Sequence, residues 1–300
     1  MHIAIAGGSG FVGQELQKQL LEANVQISIL TRSPEKIQTN QQIRAVKWLT
    51  EDSKPEEELE SVDAIINLAG ESINSGRWTE QRKKRILHSR MKATKEINRI
   101  ISVLQKKPEV LINASAVGYY GMSETATFTE DSQSNATDFL AQVVQHWEKE
   151  AKKVERYGVR PVFVRLGIVL GKGGALPLMA LPYKLFAGGT VGSGRQWLSW
   201  IHVSDVARLM IYAIHNQDIS GPLNATTNTP LQMREFGKAI GHVLKRPHWF
   251  PVPSFMMRLL LGEMSNMILS GQKVLPQKAL EHGFTYNYPN VEAALEKSLR

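Results

Sequence analysis

Cysteine is absent from the 300 residues. That single lack removes disulfides, thiolate nucleophiles and zinc–thiolate sites together, and it suits a cytoplasmic setting. No uncharged apolar run reaches the ~18 residues that a membrane-crossing helix needs. The chain opens directly on an apolar strand, so neither a signal peptide nor a membrane partner is expected. The 8 histidines are scattered without metal spacing, and no metal site is expected. Acid is in deficit: 36 Lys and Arg against 28 Asp and Glu leave a formal charge of +8. The densest basic run, Arg82 to Arg85, is followed by Ile86, Met91, Thr94, Ile97, Ile101 and Leu104 at helical spacing. Those charges therefore read as the wet face of a helix. With no recognised module and no interleaved aromatics beside them, no nucleic-acid partner is expected.

What is present begins at the first residue. Residues 1–13 run an apolar strand into Gly7-Gly8-Ser9-Gly10-Phe11-Val12-Gly13, followed by the Leu16, Leu20, Leu21 stripe of an amphipathic helix. A dinucleotide's pyrophosphate requires that order. Gly7 permits the tight turn, Gly10 lets the backbone approach phosphate, and Gly13 lets the helix pack closely on the strand. The phosphates would lie on the free N–H groups at the head of that helix.

Apolar, β-branched runs recur at Ile3 to Ala6, Val25 to Leu30, Val62 to Leu68, Val110 to Ala116 and Pro161 to Ile168, each followed by a helical pattern. This alternation predicts an α/β fold, a Rossmann-like doubly wound parallel sheet buried on both faces. Residues 1–170 form the dinucleotide-binding domain, with further sheet elements near 200–225. Residues 171–300 form a smaller, mixed substrate-side or lid region. Its glycine-marked loops precede helices at Asp205 to Ile214 and Gln232 to Leu244. From about 250 the chain is helical and Met-rich, with Phe255, Met256, Met257, Leu259, Leu260 and Leu261, which reads as core or a packing lid.

Where NAD sites place an acid, at the end of the second strand, this chain has Thr31-Arg32-Ser33. A carboxylate there would repel a 2′-phosphate, whereas a guanidinium and hydroxyls can receive one. NADP is therefore expected as cofactor, with a solvated strand-end arginine as the plainer alternative.

These residues resemble the extended short-chain dehydrogenases/reductases over nearly the whole chain. The glycine turn is similar to the family's Gly-x-x-Gly-x-x-Gly loop, and Asn67-Leu68-Ala69-Gly70 to its strand-end motif. Ser115 to Gly121 is similar to Ser-Ser-x-x-Val-Tyr-Gly, and Trp200 to Ala207 to a helix entry. Glu71, Arg77-Trp78, Ser89-Arg90, Trp147-Glu148 and Gly283 to Pro289 resemble the atypical branch of "epimerase family" proteins. The resemblance implies that Gly7, Ser9, Gly10, Phe11, Val12, Gly13, Thr31, Arg32, Ser33, Leu68, Ala69, Gly70, Arg90 and Ser115 hold the cofactor. It also implies an oxidoreductase or epimerase-like activity on a small polar or nucleotide-linked substrate.

The family's chemistry uses a tyrosine to move a proton and a lysine four residues later. None of the seven tyrosines here has that lysine, and alignment on Glu148 puts Leu140 and Val144 at the two positions. Substitutes must therefore reach the cofactor's nicotinamide end. Glu71 reads as a general base or as a helix-cap carboxylate. Tyr119 and Tyr120 read as acid, wall or packed junction. Arg77, Arg90 and Arg195 suit an anionic substrate or are solvated charges. His202 and the tryptophans read as structural. A non-catalytic NADP(H)-binding sensor is the alternative function.

Overall fold

In the computed structural model, residues 1–59, 61–74, 76–134 and 136–300 are described, the side chain of Leu260 excepted. Seven parallel strands make the main sheet: β1 (His2–Ala6), β2 (Gln26–Thr31), β3 (Ile43–Lys47), β4 (Ala64–Asn67), β5 (Val110–Ala116), β6 (Arg160–Leu166) and β7 (Gly221–Ala225). Their spatial order is 3-2-1-4-5-6-7. The direction of winding reverses between β1 and β4, which opens a crevice beyond their carboxyl ends.

The apolar runs form strands because both faces are covered. Ile3 and Ile5 face one layer with Leu16 and Leu20 of α1 (Phe11–Glu22) and Val206 and Met210 of α5; α5 spans Val203–His215. Ala4 and Ala6 face the other, with Ile97 and Ile101 of α2 (Glu80–Val103) and Ala151 of α3 (Phe139–Ala151). The register pairs Ala6 with Leu30 and Asn67, and Asn67 with Asn113. One edge of the sheet thus carries the glycine turn, Thr31-Arg32, Leu68 to Gly70 and the loop after β5.

Strand bounds differ from the sequence expectation by a residue or two, and one strand was unforeseen. In β3 only Ile43 and Val46 are buried. As an edge strand it needs no continuous apolar run. The expected strand to Ile168 stops at Leu166; Ile168–Leu170 instead pairs with Trp200–His202. After residue 170 come α4 (Leu176–Lys184), α5, β7, α6 (Met233–Leu244), α7 (Ser254–Leu261) and α8 (Val291–Leu299). Leu170, Leu176, Tyr183, Trp200, Phe236 and Leu295 form a separate core here. Among the described residues, no helix is long and apolar enough to cross a membrane.

Candidate dinucleotide site and adjoining cleft

The turn after β1 is built so that only glycine fits. Gly7 has a φ of +81°, and a Cβ there would lie 2.8 Å from the carbonyl carbon and oxygen of Leu68. A Cβ on Gly13 would lie 2.5 Å from the carbonyl oxygens of Gly7 and Gly8. The first helical bond runs from Gln14 N–H to Gly10 O at 2.9 Å, which leaves the N–H groups of Phe11, Val12 and Gly13 at the head of α1. Two glutamines restrain the loop carbonyls. Gln17 Nε2 donates to Gly8 O at 2.8 Å and Gln14 Nε2 to Ser9 O at 3.2 Å. With those oxygens held, the turn presents donors to an anion. Ser9 is exposed and Val12 packs into the sheet's core. The Phe11 ring lies against Gly171, Gly173 and Gly174, where any added Cβ would come within 3.2 Å of it.

At the end of β2, Thr31 Oγ1 accepts the Ser33 N–H at 3.1 Å, which curls the chain, while Arg32 is exposed. After β4, Asn67 fixes the next turn: its Nδ2 donates to Thr94 Oγ1 and Asn113 Oδ1, and its Oδ1 accepts the Ala69 N–H. Arg90 then packs against Gly70, which has no Cβ to obstruct it, and over the Trp147 ring at 5.1 Å. Its Nη1 donates to the carbonyls of Glu71 and Ile86. Burial pushes this guanidinium down to about 10, against the opposing charge of Glu71. Among the described residues it has no carboxylate within ion-pair distance.

The other candidates separate into groups. Glu71 accepts from Arg82 at 3.2 Å and faces Arg85 at 3.5 Å, so its carboxylate is already shared by two cations. Ser115 is buried and donates to Glu148 Oε1 at 2.6 Å, which turns its hydroxyl to the β5–α3 interface instead of the glycine turn. Tyr120 is 4% exposed; its hydroxyl donates to Asn224 Oδ1 at 2.8 Å and accepts from Arg165 Nη1 at 2.9 Å. Burial pushes that phenol up to about 12 although Arg165 opposes the shift. Such a group is a structural pin. Tyr119 differs: half-buried, its hydroxyl has no partner among the described residues, and its ring lies on Arg165.

Beneath both rings, Arg165 donates to the two oxygens of Glu148 at 2.8 Å. Burial alone would lower the Arg165 affinity for its proton; the hydrogen bonds and charge of Glu148 reverse that and raise it. The sequence motif Trp147-Glu148 gave no sign of this pairing. The available signal was a lone arginine inside the buried run Val162-Phe163-Val164-Arg165-Leu166, which requires a counter-charge. Gln14 and Gln17 carried no such signal.

An open cleft of about 850 Å³ adjoins this group, walled by Trp78, Tyr120, Met122, Phe139, Leu140 and Met267, among others. Leu140 lines it and Val144 is buried. Lys83, at its mouth, pairs with Glu263 and Glu80. Arg77 donates to Leu259 O, and Arg195 is exposed, 3.9 Å from Glu124. His202 caps α5, its Nδ1 accepting the Ser204 N–H at 3.2 Å, with the Tyr288 ring 4.1 Å away. Trp78, Trp147, Trp197 and Trp200 each donate their indole N–H to a protein oxygen. No group of three His, Asp or Glu suited to a metal exists among the described residues.

This geometry agrees with what similar proteins are. The model of the "NAD dependent epimerase/dehydratase family" matches residues 3–225. The chain belongs to that family. A second model, "Domain of unknown function (DUF1731)", matches residues 252–298, covering α7 and all but the last residue of α8. Among curated members, "Epimerase family protein YfhF" of Bacillus subtilis (strain 168) is 50% identical over 297 residues, 99% of this chain and 97% of that one. "Epimerase family protein SH2119" of Staphylococcus haemolyticus is 43% identical, covering 97% of each chain. The solved structure of human epimerase family protein SDR39U1 (isoform2) with NADPH superposes with a TM-score of 0.87 at 32% identity, over 99% of this chain and 98% of that one. Within this epimerase/dehydratase family the chain is of the atypical short-chain dehydrogenase/reductase kind expected from its motifs.

Proposed function

We propose that the protein binds NADPH and acts as an oxidoreductase or epimerase-like enzyme on a small polar or nucleotide-linked substrate. The observation that carries this is the glycine cradle with Arg32, not an acid, at the end of β2. The structure of the similar human protein was solved with NADPH. Gly7, Gly10 and Gly13 would admit the pyrophosphate, the N–H groups of Phe11 to Gly13 would bind it, and Arg32 with Thr31 and Ser33 would hold a 2′-phosphate. When bound, the cofactor supplies or accepts hydride.

The chain's own residues would then orient the substrate and move a proton. Tyr119 is the proposed proton mover, because its hydroxyl is uncommitted whereas Tyr120, Ser115 and Glu71 are engaged elsewhere. Arg90 would receive an anionic group of the substrate, since among the described residues no carboxylate lies within ion-pair distance of it. Leu140 and Val144 support a second reading, a non-catalytic NADP(H) sensor, because neither side chain can relay a proton.

Titration calorimetry with NADPH and NADH on the intact chain and on Arg32→Ala tests the reading. A charge-assisted contact to phosphate predicts a loss of about ten- to a hundredfold for NADPH and little for NADH. Equal loss for both nucleotides defeats the cofactor assignment. Tight NADPH binding with no turnover on a panel of carbonyl and sugar-nucleotide compounds selects the sensor reading.

A further inference from the structure

The most conspicuous feature outside the cleft is apolar and faces water. Along α4 and its C-cap, Leu178, Leu181 and Leu185 recur at one-face spacing and all are exposed, Leu185 by 69%. The strip continues into Phe186, and Trp249 and Phe250 are joined to it. Trp249 Nε1 donates to Phe186 O at 2.9 Å, and the Trp249 and Phe250 N–H groups both donate to Gly188 O. Trp249 is 70% exposed. Phe186 has a φ of +59°, a conformation costly for a bulky residue, retained while its ring stands in solvent. Neither the core nor the cleft uses these six side chains.

Charge decides what covers them. Segments 156–204 and 236–262, which hold the whole strip, contain no Asp or Glu. They do contain Lys172, Lys184, Lys245 and Arg246, and the Arg246 guanidinium lies 4.3 Å from the Phe186 ring centre. A two-fold pairing with a second copy would set this basic set against itself, since such an interface apposes the same patch. An exposed strip of leucine and aromatic tips with Lys184, Lys245 and Arg246 adjoining it in sequence fits an anionic lipid surface.

We propose that α4, Phe186 and the Trp249-Phe250 turn dock the protein peripherally on bilayers bearing anionic headgroups. The bilayer is touched and not crossed. This departs from the sequence expectation of no membrane partner, which rested on the lack of a long apolar run. It is independent of the cofactor reading.

Co-sedimentation of the full chain with phosphatidylglycerol–phosphatidylcholine vesicles, against pure phosphatidylcholine, tests the proposal. Binding to the anionic vesicles is expected, weakening with salt, and falling about fivefold for each charge removed in Lys184→Gln and Lys245→Gln. Leu181→Ser with Leu185→Ser, both exposed at the end of α4, should release the protein while NADPH affinity and melting temperature stay unchanged. Absence of binding to anionic vesicles, or binding undiminished in the leucine variant, overturns the proposal. So does a concentration-dependent dimer in sedimentation that the same two substitutions dissolve, which assigns the strip to a second copy.

Discussion

The Arg165 guanidinium carbon lies 3.5 Å from the centre of the Tyr119 ring, while its nitrogens hold both carboxylate oxygens of Glu148. One buried ion pair therefore supports the residue proposed to move a proton and fixes β6 against α3. Removing half of the pair strands a buried carboxylate. Arg165→Met should lower unfolding free energy by about 3–5 kcal/mol in urea titration. Adding Glu148→Leu should recover most of that, because two apolar side chains leave no charge unpaired. A single variant within about 1 kcal/mol of the parent would show that the pair is relaxed by water.

The two adjacent tyrosines should behave differently. Tyr119→Phe should reduce turnover on any identified substrate by about 10²–10⁴-fold while leaving stability almost intact. Tyr120→Phe should leave the chemical step within a few fold and cost about 1 kcal/mol of stability, through its lost bonds to Asn224 and Arg165. The reverse pattern would transfer the role to Tyr120.

Gly13→Ala tests the cradle without adding charge. Its methyl would lie 2.5 Å from two backbone oxygens, so the turn or the helix must shift. NADPH affinity should fall by at least about a hundredfold, the cost of a few kcal/mol for a displaced tight contact. Retained affinity in calorimetry would show that the nucleotide does not rest on this turn.

Stability should weaken on mild acidification. Burial lowers the His202 affinity for a proton below the usual 6.5, against the raising charges of Asp205 and Glu15. The folded state thus favours the neutral ring, so its contribution is complete above the unfolded value and is lost as pH falls through the lower folded value. His248 is shifted in the same direction, also chiefly by burial, and adds to the slope. His202→Asn keeps a cap acceptor for Ser204 and removes one titration. Thermal melting at pH values from about 7 down to about 5 should show a shallower decline in this variant. An unchanged slope would mean that protonation of His202 is not linked to unfolding.

Much of the fold was legible because five strands carry continuous Ile and Val runs and must be buried on both faces. β3 was not, since its edge position frees three of its five residues from the core. The glycine turn could be read because backbone crowding excludes every other residue there. The cleft end resisted reading for a different reason. Ser115, Tyr120 and Glu71 are suitable chemical types, but their partners Glu148, Asn224 and Arg82 lie 33, 104 and 11 positions away. Which polar groups remain uncommitted is a property of the packed molecule.

The Phe11 ring against Gly171, Gly173 and Gly174 has a mechanical consequence. The residue that begins α1 is also the peg on which the later portion of the chain is hung. Swinging that portion outward would expose the rest of a half-buried aromatic side chain to water, at roughly 1 kcal/mol. Any breathing of the cleft must therefore pivot around this peg, leaving the mouth and not the root as the part that yields.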